Sequence, residues 1–253
     1  MTGRGTSSFD PRRPTGGIRR YAWNGRDIRE DIRSKYGFDG DLIDIYVEGA
    51  PQGVHKWHHY LPLYDRYFGP WRNRPLRFLE IGVSKGGSLS MWRRYFGAEA
   101  VIYGIDLDPD CARYNALHGQ VRIGSQDDPA FLGRVVDEMG GLDVVLDDGS
   151  HIMSHIRTAL DALFPRLSPD GIYMIEDLHT AYWPDFEGGL DMPGNLFGFL
   201  RTLADDMHHW YHAGGQRHPH IAGQLRGIHM HDSICVLEKG DVPAPTHSKV
   251  QRR

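Results

Sequence analysis

Between residues 76 and 177 short apolar runs alternate with stretches of helical periodicity, and few architectures accommodate that order. "LRFLEIGV", "AVIYGIDL", "QVRIGS", "LDVVLDD" and "IYMIED" read as strands. "SLSMWRRYFG", "AFLGRVVDEM" and "HIMSHIRTALDALF" read as the helices among them. The last helix puts Ile152, Ile156, Ala159, Leu160 and Leu163 on one face, and Pro165 limits it. "SPDG" reads as a turn into the fifth strand. Parallel strands need a long crossover, usually a helix, so this order predicts a mostly parallel sheet covered on both faces. Residues 181–200 are rich in Gly, Pro and aromatics and read as a loop or lid. "LFGFLRTLADDMHHWY" then reads as a helix, and "LRGIHMHDSICVLEKG" as two strands turning at Asp232. Strands with no helix between them form an antiparallel hairpin. The expected fold is α/β, with seven strands, mostly parallel, and a C-terminal hairpin closing the sheet.

The flanks and the charge narrow the function. Residues 1–25 read as an arm rich in Gly, Arg and Pro, either a mobile terminus or a segment packing on a partner subunit. Residues 26–75 read as a helical segment, densest at "HKWHHYLPLYDRYF". There Trp57, Tyr60, Leu61, Tyr64 and Phe68 fall at helical spacing and read as core. Residues 76–240 form the expected core domain and 241–253 a tail. The formal net charge is −4, with no Lys/Arg-rich block, which argues against a nucleic-acid partner. No apolar run approaches the ~20 residues of a membrane span, and the polar start does not read as a signal peptide. The expected location is cytoplasmic. Cys111 and Cys235 make no disulfide framework and read as buried small hydrophobes.

Ligands of such sheets bind beyond the carboxyl ends of the strands. The first strand ends in "EIGVSKGGS", which carries Glu80, Gly82, Gly86, Gly87 and Ser88. The glycines allow a sharp turn and close approach of backbone to a ligand. The spacing is not G-x-G-x-x-G, so a dinucleotide pyrophosphate is not the obvious guest. Asp106 ends the second strand, where a carboxylate can take both hydroxyls of a ribose. Together these fit a nucleoside ligand without phosphates. The pattern resembles the class I, Rossmann-like methyltransferases that bind S-adenosylmethionine. The resemblance implies that Glu80 and Gly82 lie near the methionine and ribose part, and that Asp106 holds the ribose. It also implies that Ser125, Gln126 and Asp127 in "IGSQDD" lie beside the adenine. Gly86, Ser88 and Asp147 complete the expected cofactor set.

Two acidic pairs end the fourth and fifth strands, in "LDDGSHI" and "IEDLHT". Side chains alternate along a strand, so Asp147 and Asp148 should point different ways, one supporting the cofactor loop and the other facing the cleft. Glu176 and Asp177 end the fifth strand where the backbone turns, which allows both to face the cleft. Three carboxylates converging there repel unless a cation joins them, and an all-oxygen set selects a hard ion, Mg²⁺ by default. "LEIGVSKGGSL", "LDDGSHI" and "IEDLHTAY" together resemble the metal-dependent sugar O-methyltransferases of bacterial natural-product pathways, which act on macrolides and rhamnosyl polyketides. The resemblance implies that Asp148, Glu176 and Asp177 ligate the metal and that His151 is the general base. The implied substrate is a small-molecule glycoside carrying a deoxysugar such as rhamnose, and a homo-oligomer is expected. His179, Tyr182 and Trp183 are candidate substrate contacts. His208 and His212 have the spacing of a zinc pair, but His209 stands where H-E-x-x-H needs glutamate. Three alternatives remain: a catechol-type O-methyltransferase using the same metal logic, a nicotinamide-dependent oxidoreductase, and a non-catalytic partner protein of the same fold.

Overall fold

A computed structural model describes residues 25–251, so the expected arm lies almost wholly outside the described residues, as do the last two residues of the tail. Three helices precede the sheet: α1 (Gly25–Tyr36), α2 (Leu42–Glu48) and α3 (Tyr60–Phe68). Then follow β1 (Leu76–Ile81), α4 (Gly87–Phe96), β2 (Ala100–Asp106), β3 (Gln120–Ile123), α5 (Pro129–Met139), β4 (Leu142–Asp147), α6 (Met153–Leu163) and β5 (Leu167–Ile175). The chain ends with α7 (Leu196–Met207), the short α8 (Pro219–Ala222), β6 (Leu225–His231) and β7 (Ile234–Lys239).

The seven strands form one sheet in the order β3-β2-β1-β4-β5-β7-β6. The pairings among β1 to β5 are parallel, whereas β7 runs antiparallel to both β5 and β6. This is the expected fold, hairpin included. Apolar side chains fill both faces. Leu79, Val145, Tyr173 and Ile175 pack with α5, α6 and α7 on one side. Phe78, Val144, Leu146 and Met174 pack with α3 and α4 on the other. Cys111 and Cys235 are free and buried.

Three local readings are corrected. "SPDG" lies within β5 as an irregularity, where the register to β4 shifts and Asp170 takes a left-handed φ of 63°. The helix expected over 196–211 stops at Met207, and residues 209–211 form a separate 3₁₀ turn. His208 and His212 there pair with the carbonyls of Ala204 and Asp205, not with each other. Finally, α3 begins only at Tyr60, so "HKWHH" is a connection and not helix. Tyr60, Leu61, Tyr64 and Phe68 are buried as expected, but Trp57 is only partly buried.

Candidate active site

The sheet's parity fixes which acid faces which side. Asp147 continues the side of Val145, and its carboxylate accepts hydrogen bonds from Tyr173 Oη at 2.8 Å and Gln126 Nε2 at 3.2 Å. Burial, the largest influence, pushes its pKa up to about 6. Asp148 continues the side of Leu146 and turns to the opposite face, toward α3. The two neighbours point apart, as alternation requires. Glu176 shares the side of Met174 and is buried there.

Asp177 breaks the alternation. A regular strand would send it to the side of Tyr173 and Ile175. Its φ of 54° is left-handed, and it turns instead to Tyr60 on α3, whose hydroxyl donates to Oδ1 at 2.6 Å. His151, just ahead of α6, is also left-handed, with a φ of 58°. Such backbone is costly for residues other than glycine and clusters at functional sites. Its result here is convergence. His151 Nε2 lies 3.8 Å from Asp148 Oδ1 and 3.8 Å from Asp177 Oδ2. Asp148, His151 and Asp177 each offer a ligating atom, all within 4.8 Å of one another. Among the described residues this is the one group of three or more His, Cys, Asp or Glu side chains with that property.

Glu176, the third expected ligand, is engaged by protein donors. Tyr64 donates a short hydrogen bond to Oε1, and Lys56 Nζ lies 2.9 Å from Oε2. The same ammonium lies 2.6 Å from Asp148 Oδ2. Burial is the largest influence on Glu176, with the Asp148 charge adding to it, and together they hold its pKa well above the usual carboxylate range despite Lys56. Asp177 goes the other way: burial opposes its ionisation, but His151, Tyr60, His179 and Lys56 together hold its pKa down. Burial likewise works against the Lys56 charge, yet Asp148, Glu176 and Glu80 outweigh it and raise its pKa.

Sequence reasoning missed Lys56 and took Tyr60 and Tyr64 for plain core. One available signal was the spacing of Tyr60 and Tyr64, four apart and therefore on one helix face. Buried tyrosines need partners for their hydroxyls, and the surplus carboxylates at the strand ends supply them.

The donor set fits a hard divalent cation. Two carboxylates, Asp148 and Asp177, converge with a third, Glu176, behind them, an all-oxygen set, and the His151 imidazole stands beside it. The glycine turn is built as a cofactor cradle requires. Gly82 has a φ of 94°, and a Cβ there would meet the carbonyl oxygen of Asp148 at 2.1 Å. Gly86 has a φ of 73° and packs under the Tyr114 ring. Asp106 Oδ2 accepts from the Ser84 amide at 2.8 Å and Oδ1 from the Asp108 amide at 2.9 Å. Asp106 remains partly exposed at the carboxyl end of β2. Glu80 is fully buried and accepts from Ser88 Oγ at 2.7 Å and Trp92 Nε1 at 3.0 Å. Burial pushes its pKa up to about 7 against the pull of Lys56. Ser125 bonds to Asp127, and Gln126 is buried with Oε1 accepting from the Ser150 amide at 2.7 Å. That contact ties the loop after β3 to the turn that carries His151.

An aromatic arc borders the acids. Trp57 lies 5.6 Å from His179, His179 lies 4.8 Å from Trp183, Trp183 lies 5.9 Å from Phe186, and Phe186 lies 6.3 Å from His151, centroid to centroid. His179 Nδ1 also pairs with Ser233 Oγ at 2.5 Å. Tyr182 stands apart, half-exposed and packed on Phe197 of α7.

Comparison with known proteins identifies the domain that carries these residues. Residues 79–178 match the family model described as a methyltransferase domain. The 8-demethyl-8-alpha-L-rhamnosyl tetracenomycin-C 2'-O-methyltransferase of Streptomyces olivaceus is 38% identical over 205 residues, which are 74% of this chain and 52% of that protein. The mycinamicin VI 2''-O-methyltransferase of Micromonospora griseorubida is 39% identical over 195 residues, 72% of this chain and 48% of that one. The solved structure of the MycE methyltransferase from the mycinamycin biosynthetic pathway, in complex with Mg, SAH and mycinamycin VI, is 35% identical. It superposes with a TM-score of 0.68 over 85% of this chain and 54% of that one. The chain spans about half the length of the curated relatives it matches. No helix among the described residues is long and apolar enough to cross a membrane. In sheet order, in the domain matched and in identity over most of its length, the chain belongs to the class I methyltransferases, in the group that holds these sugar O-methyltransferases.

Proposed function

We propose that the protein transfers the methyl group of S-adenosylmethionine to a hydroxyl of a deoxysugar, of rhamnose type, on a polyketide or macrolide glycoside. The observation that carries this reading is the convergence of Asp148, His151 and Asp177. The names of the relatives, all O-methyltransferases of glycosylated natural products, support the substrate class. Asp148 and Asp177, with Glu176 behind them, would hold Mg²⁺. Asp106, Gly82 and Gly86 would hold S-adenosylmethionine, with Gln126, Ser125, Asp127, Ser88, Glu80 and Asp147 shaping that end. The metal, when bound, supplies a Lewis acid and a template for sugar oxygens.

The chain's own groups do the rest. A secondary alcohol holds its proton tightly and attacks poorly until the proton leaves. His151, with Nε2 equidistant from Asp148 and Asp177, is the base for that proton. General-base assistance of this kind contributes roughly 10²–10⁴-fold. The arc from Trp57 to Phe186 offers flat apolar faces to a sugar ring and shields the reacting oxygen from bulk water, and His179 offers a polar edge beside them. Positioning then carries much of the rate of an in-line transfer. The reading includes a homo-oligomer in the cytoplasm, which light scattering and fractionation test.

The deciding experiment measures methyl transfer to a panel of rhamnosyl and other deoxysugar glycosides beside a catechol, with Mg²⁺ and after chelation. His151→Ala should abolish turnover while calorimetry still registers both Mg²⁺ and S-adenosylhomocysteine. Full turnover in excess chelator, or near-wild-type single turnover by His151→Ala, would overturn the reading.

A further inference from the structure

Once ionised, as ligands of a cation must be, the acids at the carboxyl ends of β4 and β5 hold more negative charge than one divalent ion balances. Asp148, Glu176 and Asp177 are three carboxylates. Among the described residues one ammonium, that of Lys56, reaches them, at 2.6 Å from Asp148 and 2.9 Å from Glu176. Its side chain is 3% exposed. The partners lie 92 and 120 residues away in sequence, on two different strand ends.

Lys56 is delivered by a segment with its own anchors. The Tyr46 hydroxyl donates to the Lys56 carbonyl at 3.1 Å. Three residues earlier, the Gly53 carbonyl packs so closely on Gly87 that a Cβ at Gly87 would lie 1.9 Å from it. The same short connection therefore rests on the glycine turn at one end and reaches the acids at the other. Its backbone is therefore held by contacts other than the ion pair. The ammonium is the group whose presence needs a reason, because an apolar side chain of similar length would fill the space without burying a charge.

We propose that Lys56 is a positioning residue that sets the charge of the site, neutralising one of the three carboxylates and clamping Asp148 to Glu176 so that the two remaining negative charges match one divalent cation. This rests on the reading of Asp148, Glu176 and Asp177 as the metal-holding set. Charge interactions scale with the product of the charges and weaken only slowly with distance where water is excluded. A unit positive charge beside the site therefore lowers its affinity for any cation, and for a trivalent ion more than for a divalent one. The loaded site is then neutral with Mg²⁺ and overcharged with a trivalent ion.

The test uses the full chain and two probes, Mg²⁺ by calorimetry and Tb³⁺ by luminescence, with no turnover required. Lys56→Met should bind Mg²⁺ at least tenfold more tightly than wild type, and its gain for Tb³⁺ should be larger still. Lys56→Arg, which keeps the charge, should restore the wild-type ratio between the two ions. Should Lys56→Met fold poorly alone, thermal unfolding replaces calorimetry, and Mg²⁺ should raise its melting temperature more than it raises that of wild type. Mg²⁺ binding by Lys56→Met that is equal to or weaker than wild type, or stabilisation by Mg²⁺ no greater than in wild type, overturns the charge-setting role and leaves the metal reading intact. Wild-type protein that binds no Mg²⁺ overturns the metal reading itself, and this inference with it.

Discussion

Gly82→Ala tests whether the cofactor turn and the acidic set are one mechanical unit. A Cβ at this position would meet the Asp148 carbonyl oxygen at 2.1 Å, its carbon at 2.8 Å and the Gly149 Cα at 3.1 Å. Van der Waals contact for carbon lies near ~3.5 Å, so the end of β1 and the end of β4 must part by about 1 Å or more. Those atoms are backbone and cannot swing aside. The φ of 94° adds strain for an L-residue, about 1–2 kcal/mol. Overpacking between two buried segments adds about 1–3 kcal/mol. The sum of about 2–5 kcal/mol corresponds to a melting temperature lower by roughly 4–20 °C for a chain of this size. The displaced residue carries a proposed metal ligand, and its amide donates to the Ile81 carbonyl at 3.0 Å. Affinities for Mg²⁺ and for S-adenosylhomocysteine should therefore fall together, each by tenfold or more, as measured by calorimetry on folded protein below the lowered melting point. A variant that melts within about 2 °C of wild type and binds both ligands normally would refute the coupling.

Asp106→Ala should weaken S-adenosylmethionine more than tenfold, since a carboxylate hydrogen bond contributes roughly 1.5–3 kcal/mol, and unchanged affinity would move the ribose site elsewhere. Asp143→Ala removes the carboxylate that Arg77 grips through Nε at 2.9 Å and Nη2 at 2.6 Å and that Ser168 supports at 2.6 Å. It should cost about 2–4 kcal/mol in denaturant unfolding, less than a fully buried pair because Arg77 is a third exposed, and should leave ligand affinities unchanged because it lies at the amino ends of the strands. Glu80 has a folded pKa raised by burial to about 7, so the folded state keeps a proton that the unfolded chain releases near its ordinary 4.5. Its contribution to stability is complete below that ordinary value and is lost as pH rises through about 7, a change of about 3 kcal/mol at about 1.4 kcal/mol per unit. Glu80→Gln, which keeps an acceptor for Trp92, should flatten that decline between pH 5 and pH 8, and an unaltered pH–stability curve would refute the assignment.

The sheet was legible because its signals are regular. Strands β1 and β4 are buried on both faces, and helices of clean periodicity follow β1, β3 and β4, so the parallel direction of the strands follows from crossover geometry, even though only a 3₁₀ segment joins β2 to the half-buried edge strand β3. The opposite orientations of Asp147 and Asp148 followed from the same regularity. Where the backbone leaves regular structure, reading by parity stops. Asp177 sits on the face that parity denies it; the turn at the strand end allowed that placement, but the left-handed residue that produces it left no mark in the sequence pattern. Lys56 gave no signal of burial: lysine is almost always exposed, and its partners lie far off in sequence. The helix expected to run through His208 failed for a related reason, since periodicity reports which residues share a face but not where the last turn tightens into 3₁₀ form.

The division between sheet and N-terminal helices also explains why the site needs both. The strand ends contribute acceptors at their carboxyl edge: Glu80, Asp148, Glu176 and Asp177. Carboxylates buried together are unstable unless donors reach them. Ser88 and Trp92 of α4 serve Glu80. The donors to the other three come from outside the matched methyltransferase domain of residues 79–178, from Lys56, Tyr60 and Tyr64. Tyr60 and Tyr64 are one helical turn apart and reach the adjacent residues Asp177 and Glu176, which the left-handed turn at Asp177 has brought to the same side. The backbone strain at Asp177 and the placement of α3 are thus two halves of one arrangement. The strand ends alone would be an unstable cluster of like charges, and the preceding segment supplies the donors that turn it into a site bordered by His151 and the aromatic arc.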